Sequence, residues 1–295
     1  MTRQFDIVIP VGPRDLKTIA GTLKFTKKNI IGYRNIYLLS CDPSLKIKDC
    51  ITIDEKIAPF NHESIRDIFK TNKFKNHTGW YLQQLLKLYA GFVIPDMLDD
   101  YLVIDADLYF LKKTTFFDDD GRTLLGYAAL KQEPYHSPYF EHMIRLHPTL
   151  IRKYYEFSGV CHHMMFNKQK IKDLMSLVEN YHDNKAFWEI LIAQVNEYHT
   201  HIASGSGLSE YEIYFNYLNI YHPEFCKIRQ LKWKNIFFKP TNWCVYLRYQ
   251  KYVYVSQFIR GSNIRAIFKY LKHTPFIHYL TILNSIGLAY IMFKK

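Results

Sequence analysis

The sequence predicts an α/β fold with a mostly parallel central sheet flanked by helices, and three observations carry that expectation. The chain opens on an apolar β-branched run, a helical stretch and a second apolar run. Further on, a helix is followed at once by an apolar run that stops on Asp105-Ala106-Asp107. No internal repeat or low-complexity tract breaks this order. Parallel neighbours need a crossover between them, so strand, helix, strand in succession is the unit of a parallel sheet.

The elements follow in order. Residues 5–11 form a buried strand closed by a Pro-Val-Gly-Pro turn, and residues 35–41 form a second, closed by Asp42-Pro43. Residues 15–28 between them have helical character, and a third short strand is expected at residues 50–53. Over residues 80–94, Leu82, Leu85, Leu86, Tyr89 and Val93 recur at helical spacing until Pro95-Asp96 ends the run. Residues 101–104 are a strand, and residues 123–130 and 160–166 are further strands. Helices are expected at residues 168–181, 185–198 and 209–220.

Composition supports a folded enzyme-sized domain. A chain of 295 residues that is 48% hydrophobic can bury a substantial core. Its 24 Tyr and 21 Phe suit a packed interior and a cleft lined with rings that stack on bases or sugars. The five cysteines are odd in number, widely spaced and free of any C-x-x-C pair, which argues against a disulfide framework or a zinc knuckle and for a reducing compartment. The apolar stretch at the N-terminus is too short for a signal-peptide core, so a cytoplasmic location is expected.

Net charge is +12, and its distribution matters more than its size. Residues 225–295 hold 13 Lys and Arg and no Asp or Glu, so the excess lies in the C-terminal part. Such a segregated field implies an anionic partner. Two units are expected: a domain at residues 1–260 and a basic, amphipathic tail at residues 261–295. In the tail Arg265, Lys269 and Lys272 share one helical face, with Ile264, Ile267, Phe268 and Leu271 on the other, the pattern of a helix lying on an anionic membrane surface. The uncharged stretch 276–293 is long enough to raise the question of a membrane span, but His278, Thr281, Asn284, Ser285 and Gly287 argue against one.

The chemistry centres on Asp105 and Asp107. An apolar strand ending in Asp-x-Asp sets two carboxylates at the carboxyl edge of a sheet, where open α/β sheets place their ligands. Two hard oxygen donors close together suit Mn²⁺ or Mg²⁺. A solvated turn is the ordinary reading of an isolated Asp-x-Asp; the four apolar residues before this one favour the site. A second constellation is the small-residue loop 203–208, which opens a helix with Ser209 as its N-cap. Glu212, three residues on, reads as the partner of a capping box, which leaves Glu210 as the carboxylate able to act on an acceptor.

The stretch 85–110 resembles the glycogenin-like glycosyltransferases, through Lys87-Leu88 on a helix followed by Val103-Ile104-Asp105-Ala106-Asp107. The resemblance implies a GT-A fold, a nucleotide-sugar donor, with a UDP-sugar expected, and a glycan, glycolipid or glycoprotein acceptor. It also implies roles: Lys87 on the donor's sugar or phosphate, Asp105 on ribose and metal, Asp107 on the metal. Pro10 and Val11 are expected at the same donor site. Phe157-Ser158-Gly159-Val160 is similar to a segment of that family that passes beneath the donor sugar, so Ser158 and Gly159 are expected there. The two histidines that follow, His162 and His163, would face opposite sides of a strand, so at most one points into the cleft, and His163 is expected as a substrate contact in preference to a metal ligand. Residues 252–261 look like the turn that supplies the family's last metal ligand, with Gln257 standing where a His is usual and Arg260 placed to offset diphosphate charge. More widely, the chain resembles GT-A glycosyltransferase-like proteins of bacteria and large DNA viruses over residues 5–260.

Three rival readings compete with this one. A nucleotidyltransferase would also use paired carboxylates, but the Gly-rich basic loop such sites carry near the N-terminus is reduced here to Gly12. A nucleic-acid-binding protein would explain the basic, tyrosine-rich tail; nucleic acid is nonetheless not the expected partner. An inactive GT-A binding module would keep the scaffold without the chemistry. Whether transfer inverts or retains configuration stays open.

Overall fold

Alternation along the first strand separates two cores, one on each face of the central sheet. In a computed structural model that describes residues 3–129, 133–199, 206–236, 239–241 and 243–257, β1 (Phe5–Val11) sends Val8 into one cluster. Phe5, Ile7, Ile9 and Val11 enter the other, as a period of two requires. The chain continues through α1 (Ile19–Asn29), β2 (Tyr33–Ser40), β3 (Ile51–Asp54), α2 (His62–Ile68), α3 (Asn72–Lys75), α4 (Thr78–Val93), β4 (Asp100–Ile104) and β5 (Leu108–Phe110). Then follow β6 (Thr123–Ala129), α5 (Glu133–Leu146), β7 (Phe157–Ser158), β8 (His163–Asn167), α6 (Lys168–Tyr181) and α7 (Phe187–Ala193). The last elements are α8 (Glu210–Tyr221), β9 (Cys226–Gln230), β10 (Trp233–Asn235), α9 (Trp243–Tyr249) and β11 (Tyr254–Ser256).

The central sheet has the order β3-β2-β1-β4-β8, parallel except for β8. The smaller core lies on the α1 side, with Ile19 and Leu23 against Leu38, Leu102 and Ile104. The larger core lies on the opposite side, where α4, α6, α7 and α8 cover Val8, Leu39, Tyr101 and Val103. This is the expected α/β class with helices on both faces. Two three-stranded sheets, β10-β11-β5 and β7-β6-β9, flank it.

Three expected elements are altered, each for a visible reason. The first helix starts at Ile19 because Asp15 turns back to accept from the Gly12 amide at 3.1 Å, closing a turn ahead of it. The helix expected at 185–198 is cut to Phe187–Ala193. Asp183 and Asn184 before it have positive φ, and Glu179 accepts the Phe187 amide at 2.9 Å. The strand expected at 160–166 is interrupted. Gly159 packs against α8, His162 has φ 66°, and pairing with β4 begins only at His163.

Buried charges fasten the frame at the amino edge of the sheet. Asp6 is fully buried and accepts from Arg34 at 2.7 Å and from the Leu98 amide at 2.9 Å, while Asp100 holds Arg3 and Asn167. Cys41, Cys50, Cys161 and Cys226 are free thiols. Among the described residues no helix is long and apolar enough to cross a membrane. The tail from residue 261, with its expected amphipathic face, lies outside the described residues, as does Arg260.

Candidate functional site

The face on which Asp105 emerges is fixed by β4. Tyr101 and Val103 point into the larger core and Leu102 and Ile104 into the smaller one, so the next residue returns to the face covered by α4. Tyr101 also docks that helix. Its ring lies under Gly91, where a Cβ would come within 2.8 Å of the Tyr101 ring, and its hydroxyl donates to the Leu88 carbonyl at 3.1 Å. The turn of α4 that carries Lys87 is thereby set over the end of β4.

Lys87 is 2% exposed and bridges two carboxylates, its Nζ donating to Asp105 Oδ1 and to Glu210 Oε1, each at 2.7 Å. The ammonium also lies 4.3 Å from the Tyr211 ring centroid. Burial disfavours its charged form, but Asp105 and Glu210 outweigh that and hold it charged. Burial likewise opposes ionisation of Asp105, yet Lys87 and then His162 keep its carboxyl well below the ordinary range. Burial pushes the Glu210 carboxyl up in spite of Lys87. Gln84 lies against Glu210 as well, and with its amide nitrogen turned toward the carboxylate it donates to both oxygens.

Asp105 is held from two further directions. The Tyr211 hydroxyl donates to Oδ1 at 3.0 Å, and His162 Nδ1 lies 3.2 Å from Oδ2. His162 also accepts the Asp105 amide on its carbonyl at 3.0 Å and stands edge-on to Trp233. Its φ of 66° is uncommon for a residue with a side chain, and such conformations gather where the surroundings hold them for a purpose.

The predicted residues come together unevenly. Pro10 falls level with Asp105 when the β1–β4 register, which ends at Val8↔Val103, is carried two residues on, and Val11 follows it. Asp107 and Gln257 are adjacent through the backbone: β11 pairs antiparallel with β5, and the Gln257 amide donates to the Asp107 carbonyl at 2.9 Å.

His163 is a correction. It is 1% exposed, ringed by Phe110, Phe116 and Tyr254, and its Nδ1 is spent on the Cys161 carbonyl at 3.0 Å. The positive φ at His162 turns that residue, not His163, toward the acidic cluster. Ser158 and Gly159 are a second correction. Both are buried beneath α8, and the small residue is needed for the helix: a Cβ at Gly159 would come within 2.5 Å of Phe215 Cβ and 2.8 Å of the Tyr211 carbonyl oxygen. Gly159→Ala should therefore destabilise the fold by about 1–3 kcal/mol, the range for overpacking, measurable by thermal or urea unfolding.

Glu212 does not complete a capping box. Ser209 accepts the Glu212 amide at 3.3 Å, but the Glu212 carboxylate turns away. It accepts from Ser158 Oγ at 2.6 Å, the Gly159 amide at 3.0 Å and Asn216 Nδ2 at 3.0 Å. Burial, outweighing these bonds, pushes its carboxyl up to about 7 from 4.5. Between those values the folded chain keeps a proton that the unfolded chain has released. Its contribution to stability is full below pH ~4.5, declines as pH rises to ~7 and is then level, by at most ~3 kcal/mol. The melting temperature of Glu212→Gln relative to wild type should accordingly rise between pH 5 and pH 8. Parallel curves would show that Glu212 does not titrate in this window.

A profile of the family of unknown function DUF6492 matches residues 41–252. The chain belongs to that family. The matched segment of this DUF6492 protein contains Lys87, Asp105, Asp107, His162 and α8, while β1 and Gln257 lie outside it. No curated protein matches. Among solved structures, an active-site mutant of LgtC is similar with a TM-score of 0.43 and 14% identity, over 87% of this chain and 88% of that one. Mouse xyloside xylosyltransferase 1 in its apo form gives a TM-score of 0.44 and 12% identity, over 87% and 98%.

The chemistry of the donor set bears on the expected Mn²⁺ or Mg²⁺. Among the described residues no group of three or more His, Cys, Asp and Glu is arranged to hold a metal ion. The set here is two carboxylates and an amide: Asp105, Asp107 and Gln257. Asp105 spends three of its roughly four lone-pair positions on Lys87, Tyr211 and His162, leaving about one for a cation. Hard oxygen donors, with a lone-pair position of Asp105 still open, fit a divalent ion that keeps several waters.

Proposed function

We propose that this DUF6492 protein is a GT-A glycosyltransferase that moves a sugar from a nucleotide sugar, a UDP-sugar by resemblance, to a hydroxyl of a glycan, glycolipid or glycoprotein. The observation that carries the reading is the Asp105-Ala106-Asp107 turn at the carboxyl end of β4, between parallel β1 and antiparallel β8 in the central sheet, with a buried lysine locking its first carboxylate. Ligands of open α/β sheets gather at this edge.

In this reading Asp107, Gln257 and the remaining lone pair of Asp105 hold Mn²⁺ or Mg²⁺, which when bound offsets charge on the departing nucleoside diphosphate. The protein's own groups keep that constellation rigid. Lys87 fixes Asp105 Oδ1, Tyr211 shares the same oxygen, and His162 orients Oδ2. Glu210 was expected to take the acceptor's proton; at 1% exposure, against Lys87 and Gln84, it is better placed to hold Lys87. The Pro10–Val11 end of β1 lines the same edge. A peripheral membrane contact through the basic tail belongs to the same proposal, since it would bring the site to a membrane-displayed acceptor.

The test is a panel of nucleotide sugars incubated with the full chain and Mn²⁺, followed by release of the nucleoside diphosphate. Turnover of at least one donor, abolished by chelator, is the expected result. No turnover and no thermal stabilisation by any donor would overturn the reading.

A further inference from the structure

Three consecutive residues at the start of α8 are buried, and the first two reach Asp105 by separate routes. Glu210 does so through Lys87 and Tyr211 through its own hydroxyl. Glu212 has no contact with Asp105 and faces the other way, into the segment that joins β7 to β8.

That segment is pinned at nearly every residue. Ser158 Oγ donates to Glu212 Oε2 and accepts the Val160 amide at 3.1 Å, and the Gly159 amide donates to the same Glu212 oxygen. The Cys161 carbonyl takes the Tyr254 hydroxyl at 3.0 Å, and the His162 carbonyl takes the Asp105 amide. Asn216 closes the other side of the carboxylate. It cannot turn over, because its Oδ1 accepts the Lys153 amide at 2.8 Å while Nδ2 also bonds the Glu212 carbonyl. The Gly159 amide and Asn216 Nδ2 can only donate, so each Glu212 oxygen must accept, and Ser158 Oγ, able to donate or accept, serves the carboxylate and its protonated form alike. Among the described residues, charged and titratable groups whose fields reach it include Arg152, Tyr139 and Cys161.

We propose that Glu212 is a positioning residue: its buried carboxylate locks the Ser158–Gly159 backbone to α8 and thereby sets the strained His162 turn that orients Asp105. The helix start then holds Asp105 on three sides, two by direct or bridged contact and one by backbone tension through residues 158–162. The consequence for catalysis rests on the glycosyltransferase reading; the mechanical link does not. Gln at 212 presents one amide nitrogen among donors and must break a contact. Ala at 158 removes only the hydroxyl that joins Glu212 to the Val160 amide.

The experiment uses the full chain as wild type, Glu212→Gln and Ser158→Ala. Folding is checked by circular dichroism, and amide hydrogen exchange is read at Gly159, Val160 and Asp105. Both variants should exchange faster at Gly159 and Val160, and also at Asp105, which neither altered side chain touches. With a donor that the wild type turns over, kcat should fall on the order of 10²-fold, the effect of a ~1 Å misplacement, with donor KM nearly constant. Unchanged exchange at Asp105 in a folded variant would overturn the proposal, as would a rise in KM at constant kcat. Should Glu212→Gln not fold, Ser158→Ala carries the exchange test. If the wild type turns over no nucleotide sugar, the functional reading fails while exchange at Asp105 still decides the link.

Discussion

Asp107→Asn should remove nucleotide-sugar turnover and leave the fold intact. Asp107 stands just beyond β4, partly exposed, at a turn whose backbone is held independently of its side chain: the Leu108 amide bonds the Asp105 carbonyl and the Gln257 amide bonds the Asp107 carbonyl. Asparagine keeps the size and removes the charge. In the proposed site that charge is one of the two carboxylate donors, and Asp105 already serves three protein groups. Loss of a cation that stabilises transition-state charge by several kcal/mol corresponds to roughly 10³-fold in kcat. The melting temperature should stay close to that of the wild type. Turnover within a few-fold of the wild type would remove Asp107 from the site.

Lys87→Met should act in the opposite way, through stability first. Methionine fills most of the volume but leaves Asp105 and Glu210 facing each other without their shared cation. Removing one partner of a buried ion pair typically costs about 3–5 kcal/mol. In a domain of this size that lowers the melting temperature by roughly 6–20 °C. The deficit should shrink as pH falls, because the freed carboxyls take up protons in the folded state and the penalty is then relieved. Adding Glu210→Gln should recover part of the loss, and a double-mutant cycle measures the coupling. Additive losses, or a deficit independent of pH, would mean that Lys87 is not the shared partner of both carboxylates in solution.

Much of the frame was legible because it depends on local pattern. The β-α-β opening, the apolar strand before Asp105 and the helix that carries Lys87 all follow from periodicity, and the structure places them within a few residues of expectation. Even the face on which Asp105 emerges can be read from Tyr101 and Val103. The site was less legible because its decisive contacts join distant segments. Lys87 and Glu210 are separated by 123 positions, and nothing near either one announces the other. The choice between His162 and His163 turned on one backbone angle. A continuous strand would have set the two on opposite faces with no rule for which one entered the site, whereas the positive φ at His162 breaks the alternation. The available signal was Gly159: a glycine beside a strand pattern often marks a bulge or a close approach of another backbone. Glu212 misled for a related reason. Its spacing from Ser209 fits a capping box, but Ser158, Gly159 and Asn216 together offer it three donors where the box offers one. Tyr211 went unread between two carboxylates, although its neighbours on a helix start pointed to a buried polar turn.

The central claim is that the turn at Asp105 and Asp107 is a divalent-cation site for a nucleoside diphosphate. Calorimetric titration of the full chain with UDP, in Mn²⁺ and again in chelator, tests it without needing to know the acceptor. The account predicts saturable binding in Mn²⁺ that is lost in chelator and in Asp107→Asn. Equal affinity with and without metal, or undiminished binding by the variant, would contradict it.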